Sequence, residues 1–116
     1  MKYMLMLFDD EEGWNTVTEE QMAEEMKRHE AFATWCAGQG VAITGGEALQ
    51  TSATATTLRP GSDEMLITDG PYAELKEHLG GFYIIEARDL DQAMEAARRC
   101  PMGSGTEVRP VWDISS

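Results

Sequence analysis

Apolar and polar positions follow two rhythms along this chain, one typical of strands and one typical of helices. Alternating or continuous apolar runs predict strands at residues 3–8, 41–49, 53–58, 65–68, 82–87 and 106–112. Apolar residues at three- and four-residue spacing predict one long helix after Thr18 and a second after Asp89. The order is β-α-β, a hairpin, then β-α-β. We therefore predict an α+β protein with a ferredoxin-like split βαβ arrangement and an inserted β-hairpin.

The two helices carry their own start signals and a predicted inward face. Thr18 with Gln21 forms a capping-box pattern, and Asp89 is the expected N-cap of the second helix. Helical spacing predicts two inward-facing sets: Met22, Met26, His29, Ala33 and Cys36 in the first helix, and Leu90, Ala93, Met94 and Ala97 in the second.

Both faces of the predicted sheet are apolar. The first strand alternates Tyr3, Leu5 and Leu7 with Met4, Met6 and Phe8, and the strand from Phe82 is apolar on both sides as well. Two helices in this arrangement cover only one face of a sheet, and an open antiparallel face is normally polar. We therefore expect a homodimer that buries sheet against sheet around a twofold axis. The alternative is a monomer whose open face binds another protein.

The run from Asp69 to Phe82 carries a family resemblance. Gly70 is expected to adopt a positive φ, Pro71 to begin a short helix, and Gly80-Gly81 to form a hinge or a bulge at the next strand. The run resembles the DGPF-domain branch of the YCII-related proteins, with Tyr72 in the place of the family's Phe. The resemblance covers nearly the whole chain and implies a single domain, 1–116, of the dimeric α+β barrel type.

The resemblance also implies a site and a partner class. YCII-related proteins carry a histidine in the first helix, a position that His29 matches, and this histidine is proposed to pair with an aspartate in an Asp-Pro dipeptide after the second helix. Here the dipeptide is Cys100-Pro101, so the pair is incomplete. Relatives are encoded beside, or fused to, sigma factors of the extracytoplasmic-function type.

Composition narrows the classes of partner. The formal net charge of -12 disfavours nucleic acid and allows a basic protein partner, although acidity also serves solubility. The apolar start is too short for a signal peptide or a membrane span, and the two cysteines suggest no disulfide framework, so we expect a cytoplasmic protein. The two histidines lack metal-site spacing, and we expect neither a metal nor a cofactor.

His29 and Asp69 are the candidate catalytic residues. An inward histidine can serve as an acid/base group, or it can be a core histidine with a single hydrogen bond. Asp69 is the nearest substitute carboxylate, or else it caps the short helix at Pro71. Glu74, Lys76, Glu77 and His78 are interpreted as exposed charge on that helix or its exit.

Two functions remain open at this stage. One is a small-molecule site near the first helix with weak acid/base chemistry at His29, aided by Asp69. The other is a non-catalytic interaction or regulatory module in a sigma-factor system. A carboxylate within hydrogen-bond reach of His29 in an open cleft favours the first function, and a closed core around His29 favours the second.

Overall fold

The computed structural model describes residues 1–114. In chain order the elements are β1 (Lys2–Asp10), α1 (Glu19–Gly38), β2 (Ala42–Ala48), β3 (Thr56–Pro60), β4 (Met65–Asp69), β5 (Glu77–Glu86), α2 (Leu90–Arg99) and β6 (Gly105–Pro110). Two short 3₁₀ turns lie at Trp14–Thr16 and Ser52–Thr54.

The main sheet has four antiparallel strands in the order β2-β5-β1-β6. The first and fifth strands of the chain, β1 and β5, lie at the centre of this sheet, and each helix connects a central strand to an outer one. This is the ferredoxin-like arrangement, so the predicted fold class is confirmed. Strands β3 and β4 pair only with each other and form the separate two-stranded hairpin that the sequence also predicted.

The hydrophobic core lies on one face of the main sheet, beneath both helices. Tyr3, Leu5 and Ile85 from the central strands pack against Phe32 and Cys36 of α1. The sheet-facing side of α2 consists of Ala93, Ala96 and Ala97. Small side chains let α2 approach the sheet closely, so its buried face needs no large residue.

Both helix starts are confirmed, while the predicted inward faces are only partly right. The Gln21 backbone N–H donates to the Thr18 hydroxyl and the Thr18 N–H donates to the Gln21 side chain, each over 3.0 Å. Asp89 caps α2 by accepting from the Gln92 N–H. The exposed residues of the predicted faces are Met22, Met26 and Ala33 in α1 and Leu90 and Met94 in α2. The large Phe32 occupies the sheet side of α1 and turns the methionines towards solvent.

The segment that follows Gly70 differs from the prediction. Gly70 does have a positive φ, of 106°. However, residues 71–76 form bends rather than a short helix, and β5 begins at Glu77, well before the expected Phe82. Gly80 and Gly81 lie within this strand and not at a hinge before it. The register with β1 shifts between Leu7 and Phe8 and leaves Gly80 as the extra residue, so the bulge alternative is confirmed. A Cβ on Gly81 would lie 2.9 Å from the Glu47 carbonyl oxygen, which means that close approach of β2 requires this glycine.

The opposite face of the main sheet carries half-buried apolar side chains, namely Met4, Met6, Phe8, Phe82 and Ile84. Both helices lie on the other side, over the core. The β3–β4 hairpin adds four apolar side chains that are more than half exposed: Leu58, Met65, Leu66 and Ile67. Among the described residues, apolar surface therefore remains open on the sheet and on the hairpin.

Candidate functional site

His29 lies in the second half of α1 with its side chain 28% exposed. Its Nδ1 lies 2.6 Å from the Tyr83 hydroxyl, and the two ring centroids are 5.8 Å apart. The inward position that helical spacing predicted is therefore confirmed. The ring is neither sealed in the core nor free in solvent, since part of it remains accessible from outside.

Tyr83 is positioned by contacts from two other elements. Its ring packs against Phe32 of α1, with centroids 5.1 Å apart. On the neighbouring strand β2, a Cβ on Gly46 would lie 2.8 Å from Tyr83 Cδ1, so the ring occupies space that only glycine leaves free. The phenol is thus held between β2 and α1, with its hydroxyl directed at His29.

The second contact of His29 is a carboxylate one turn earlier in α1. Glu25 Oε1 lies 3.5 Å from His29 Nε2, and the other carboxylate oxygen lies 3.0 Å from Arg28. A carboxylate beside Nε2 favours the tautomer that carries its proton there, which leaves Nδ1 to accept the Tyr83 hydroxyl proton. Glu25, His29 and Tyr83 then form a carboxylate–imidazole–phenol chain.

Burial affects the titration of Tyr83 and of two thiols in the core. Burial raises the pKa of Tyr83, so the phenol stays protonated at neutral pH and acts as a hydrogen-bond donor or general acid. Burial also raises the pKa of Cys36, and it raises the pKa of Cys100 to about 12. Both thiols therefore remain protonated, and neither is suited to nucleophilic chemistry.

Asp69 lies elsewhere in the fold. It is the exposed last residue of β4, opposite Thr56 in the hairpin. Its expected role as a helix cap is wrong, because no helix begins at Pro71. Among the described residues of this one chain, the polar partners of the His29 ring are Tyr83 and Glu25, and Asp69 is not one of them.

Sequence reasoning missed a second histidine cluster. His78 was interpreted as exposed charge, but its side chain is only 15% exposed and its Nε2 lies 3.8 Å from Glu11 Oε1. Glu11 in turn accepts hydrogen bonds from the backbone and hydroxyl of Ser52. No spacing rule connects positions 11, 52 and 78, and they meet because β1 and β2 both pair with β5.

Tyr83 and Gly46 were also missed as parts of the His29 site. A signal for Tyr83 was present in the sequence, because alternation in the strand places it on the side opposite Phe82, and the helices cover one of those two sides. Gly46 had no comparable signal. Glycine is required at this position because the Tyr83 ring packs over it, and the sequence does not specify that contact.

The fold and the site together define a small α+β protein with a partly open acid/base cluster between its first helix and its sheet. The chain belongs to the YCII-related family, since the family described as YCII-related domain matches residues 1–115. It is also similar to an uncharacterised protein of Rhizobium meliloti (strain 1021), with 44% identity over 61 residues. That alignment covers 49% of this chain and 49% of the relative, so it spans about half the length of each.

A membrane-crossing role for the helices finds no support in the described part of the chain. Neither α1 nor α2 is both long enough and apolar enough to cross a bilayer.

Proposed function

We propose that this protein binds a small molecule beside α1 and performs weak acid/base chemistry on it through His29 and Tyr83. The observation that supports this function is that the partly exposed His29 ring has a polar partner at each nitrogen. The Tyr83 hydroxyl lies 2.6 Å from Nδ1, and a Glu25 carboxylate oxygen lies 3.5 Å from Nε2. Glu25 takes the role that sequence reasoning had given to Asp69. The Tyr83 oxygen accepts the proton that the substrate releases while the phenol proton passes to Nδ1 of His29, and the Glu25 carboxylate balances the imidazolium that forms.

The site is tested by ligand screening followed by matched variants. A panel of small metabolites is screened by thermal shift, because a ligand that binds only the folded state raises its stability with concentration. For a compound that binds here, Tyr83→Phe and Glu25→Gln reduce the shift in melting temperature. Glu24→Gln is the control, since it removes an exposed carboxylate one position away that pairs with Lys27.

Imidazole NMR supplies an independent readout. The chain has two histidines, so the His78 ring is an internal reference for the His29 ring. A ligand at the proposed site perturbs the His29 resonances and leaves those of His78 in place. If a compound stabilises the wild type, His29→Gln and Tyr83→Phe to the same extent, it binds elsewhere on the protein. That result would refute this assignment.

We further propose a homodimer, as in the dimeric α+β barrels that the DGPF-branch resemblance implies. The half-buried apolar face of the main sheet supports it, because both helices lie on the other side. A second copy presents the same surface and can cover it by twofold symmetry. Sedimentation at micromolar concentration tests the dimer. Met6→Glu places a charge on this face and should yield monomers, whereas Met26→Glu on exposed α1 should not.

The second candidate function is an interaction module for a basic protein, such as an extracytoplasmic-function sigma factor. The exposed apolar residues of the β3–β4 hairpin favour it, together with the net charge of -12. Binding would then weaken with added salt and on Ile67→Lys, while His29→Gln would leave it intact. The compartment that suits this partner is the cytoplasm, and two free buried cysteines are compatible with it.

A further inference from the structure

A pocket lies away from His29, between the turn that follows β2 and the start of β5. Its volume is about 300 Å³. Leu79 and Pro71 contribute apolar walls, while Thr51, Ser52 and His78 contribute polar groups. A pocket with mostly apolar walls and a few convergent polar groups is the usual form of a small-molecule site.

The polar side of this pocket is held rigidly. Glu11 Oε2 accepts the Ser52 backbone N–H over 2.6 Å, and Glu11 Oε1 accepts the Ser52 hydroxyl proton over 2.5 Å. Both oxygens are thereby fixed, with Oε1 placed 3.8 Å from His78 Nε2. The two hydrogen bonds from Ser52 hold the pKa of Glu11 below its ordinary value. A fixed, ionised carboxylate therefore stands beside the imidazole.

His78 itself retains unused hydrogen-bonding capacity. Its distance to Glu11 exceeds that of a hydrogen bond, and no other polar contact to its ring is made within residues 1–114. The ring is nevertheless not sealed off, because its side chain is 15% exposed and lines the pocket. A ring that lines a pocket with a free nitrogen can accept a hydrogen bond from a bound molecule.

The surrounding charge selects the ligand. Asp9 lies opposite His78 in the β1–β5 register, Glu77 precedes it, and Asp10 and Glu12 flank Glu11. No lysine or arginine lines the pocket within the described residues. This field repels an anion and attracts a cation that can donate hydrogen bonds. We propose that the pocket binds a small organic amine in its ammonium form, which donates an N–H to His78 beside the Glu11 carboxylate.

The test uses three two-carbon probes of similar size that differ in charge: 2-aminoethanol, ethylene glycol and glycolate. Each is titrated into the protein while the His78 and His29 ring resonances are followed by NMR. We expect saturable shifts at His78 with 2-aminoethanol in the millimolar range, weaker shifts with ethylene glycol, and none with glycolate. Glycolate binding as tight as 2-aminoethanol, or saturable shifts confined to His29, would overturn the assignment.

Matched variants separate the pocket from general charge attraction. Glu11→Gln keeps the shape of the side chain and one oxygen that can accept a hydrogen bond from Ser52. It should weaken the binding of 2-aminoethanol at least several-fold. Glu20→Gln removes an exposed charge in the first turn of α1 and should leave the affinity unchanged. His78→Gln should abolish saturable shifts of the Leu79 amide while the melting temperature reports whether the variant is folded. Equal affinities in Glu11→Gln and Glu20→Gln would show that the pocket does not select the amine.

Discussion

Gly46→Ala is the sharpest test of how the His29 site is assembled. The added Cβ would lie 2.8 Å from Tyr83 Cδ1 and 2.8 Å from the Phe82 carbonyl oxygen. Carbon atoms pack best at about 3.5–4.0 Å, so the methyl group intrudes by at least roughly 0.7 Å on the ring. The backbone oxygen cannot yield easily, so the Tyr83 ring must move away from Gly46, and its contact with His29 changes.

The neighbouring glycine provides a matched control. A Cβ on Gly45 would meet Ile84 Cγ1 at 3.5 Å, which is ordinary contact, and neither glycine has a positive φ. Both alanines stabilise by about 0.4–1 kcal/mol through the unfolded chain. Only Gly46→Ala adds overpacking, which costs about 1–3 kcal/mol. The free energies of unfolding of the two variants should thus differ by about 1–3 kcal/mol.

Urea unfolding at one protein concentration measures this difference. With a slope of about 1–3 kcal/mol per molar urea, the midpoints of the two variants should separate by on the order of 1 M, with Gly46→Ala lower. The His29 ring resonances should shift in Gly46→Ala and not in Gly45→Ala. Coincident midpoints together with an unshifted His29 ring would mean that Gly46 does not position Tyr83.

Three further predictions concern the turn, the loop cluster and the helix cap. Gly70→Ala should cost about 1–2 kcal/mol because of its φ of 106° alone, since the nearest atom to an added Cβ is 3.8 Å away. Gly105→Ala, whose Cβ would meet no atom within 4 Å, should be neutral to slightly stabilising in the same urea assay. The lowered pKa of Glu11 stabilises the fold at pH values above the ordinary glutamate pKa, and this stability is lost as the pH falls through the pKa of Glu11 in the folded state. Glu11→Gln should therefore flatten the acidic side of a plot of melting temperature against pH. Thr18→Ala should lower the free energy of unfolding by about 1 kcal/mol, and an unchanged midpoint would contradict the capping box.

Local signals in the sequence were enough to predict the two long helices, the six strands and their order along the chain. The Thr18 capping box spans three residues, and strand alternation spans two, so each is readable from neighbours alone. Together with the βαβ order, these signals predicted the ferredoxin-like sheet. They also placed His29 on the sheet side of α1, although Phe32 rather than the methionines defines the buried face.

Only the tertiary structure decided which groups meet. Tyr83 lies 54 positions from His29, and their contact depends on how α1 packs over β5. The segment after Pro71 has local helix signals, yet Glu77 pairs with Asp10 and draws the chain into β5. That same register carries His78 to Glu11. Hydrogen bonds between strands distant in the chain outweigh a weak local preference, and sequence spacing cannot reveal a partner set by such pairing.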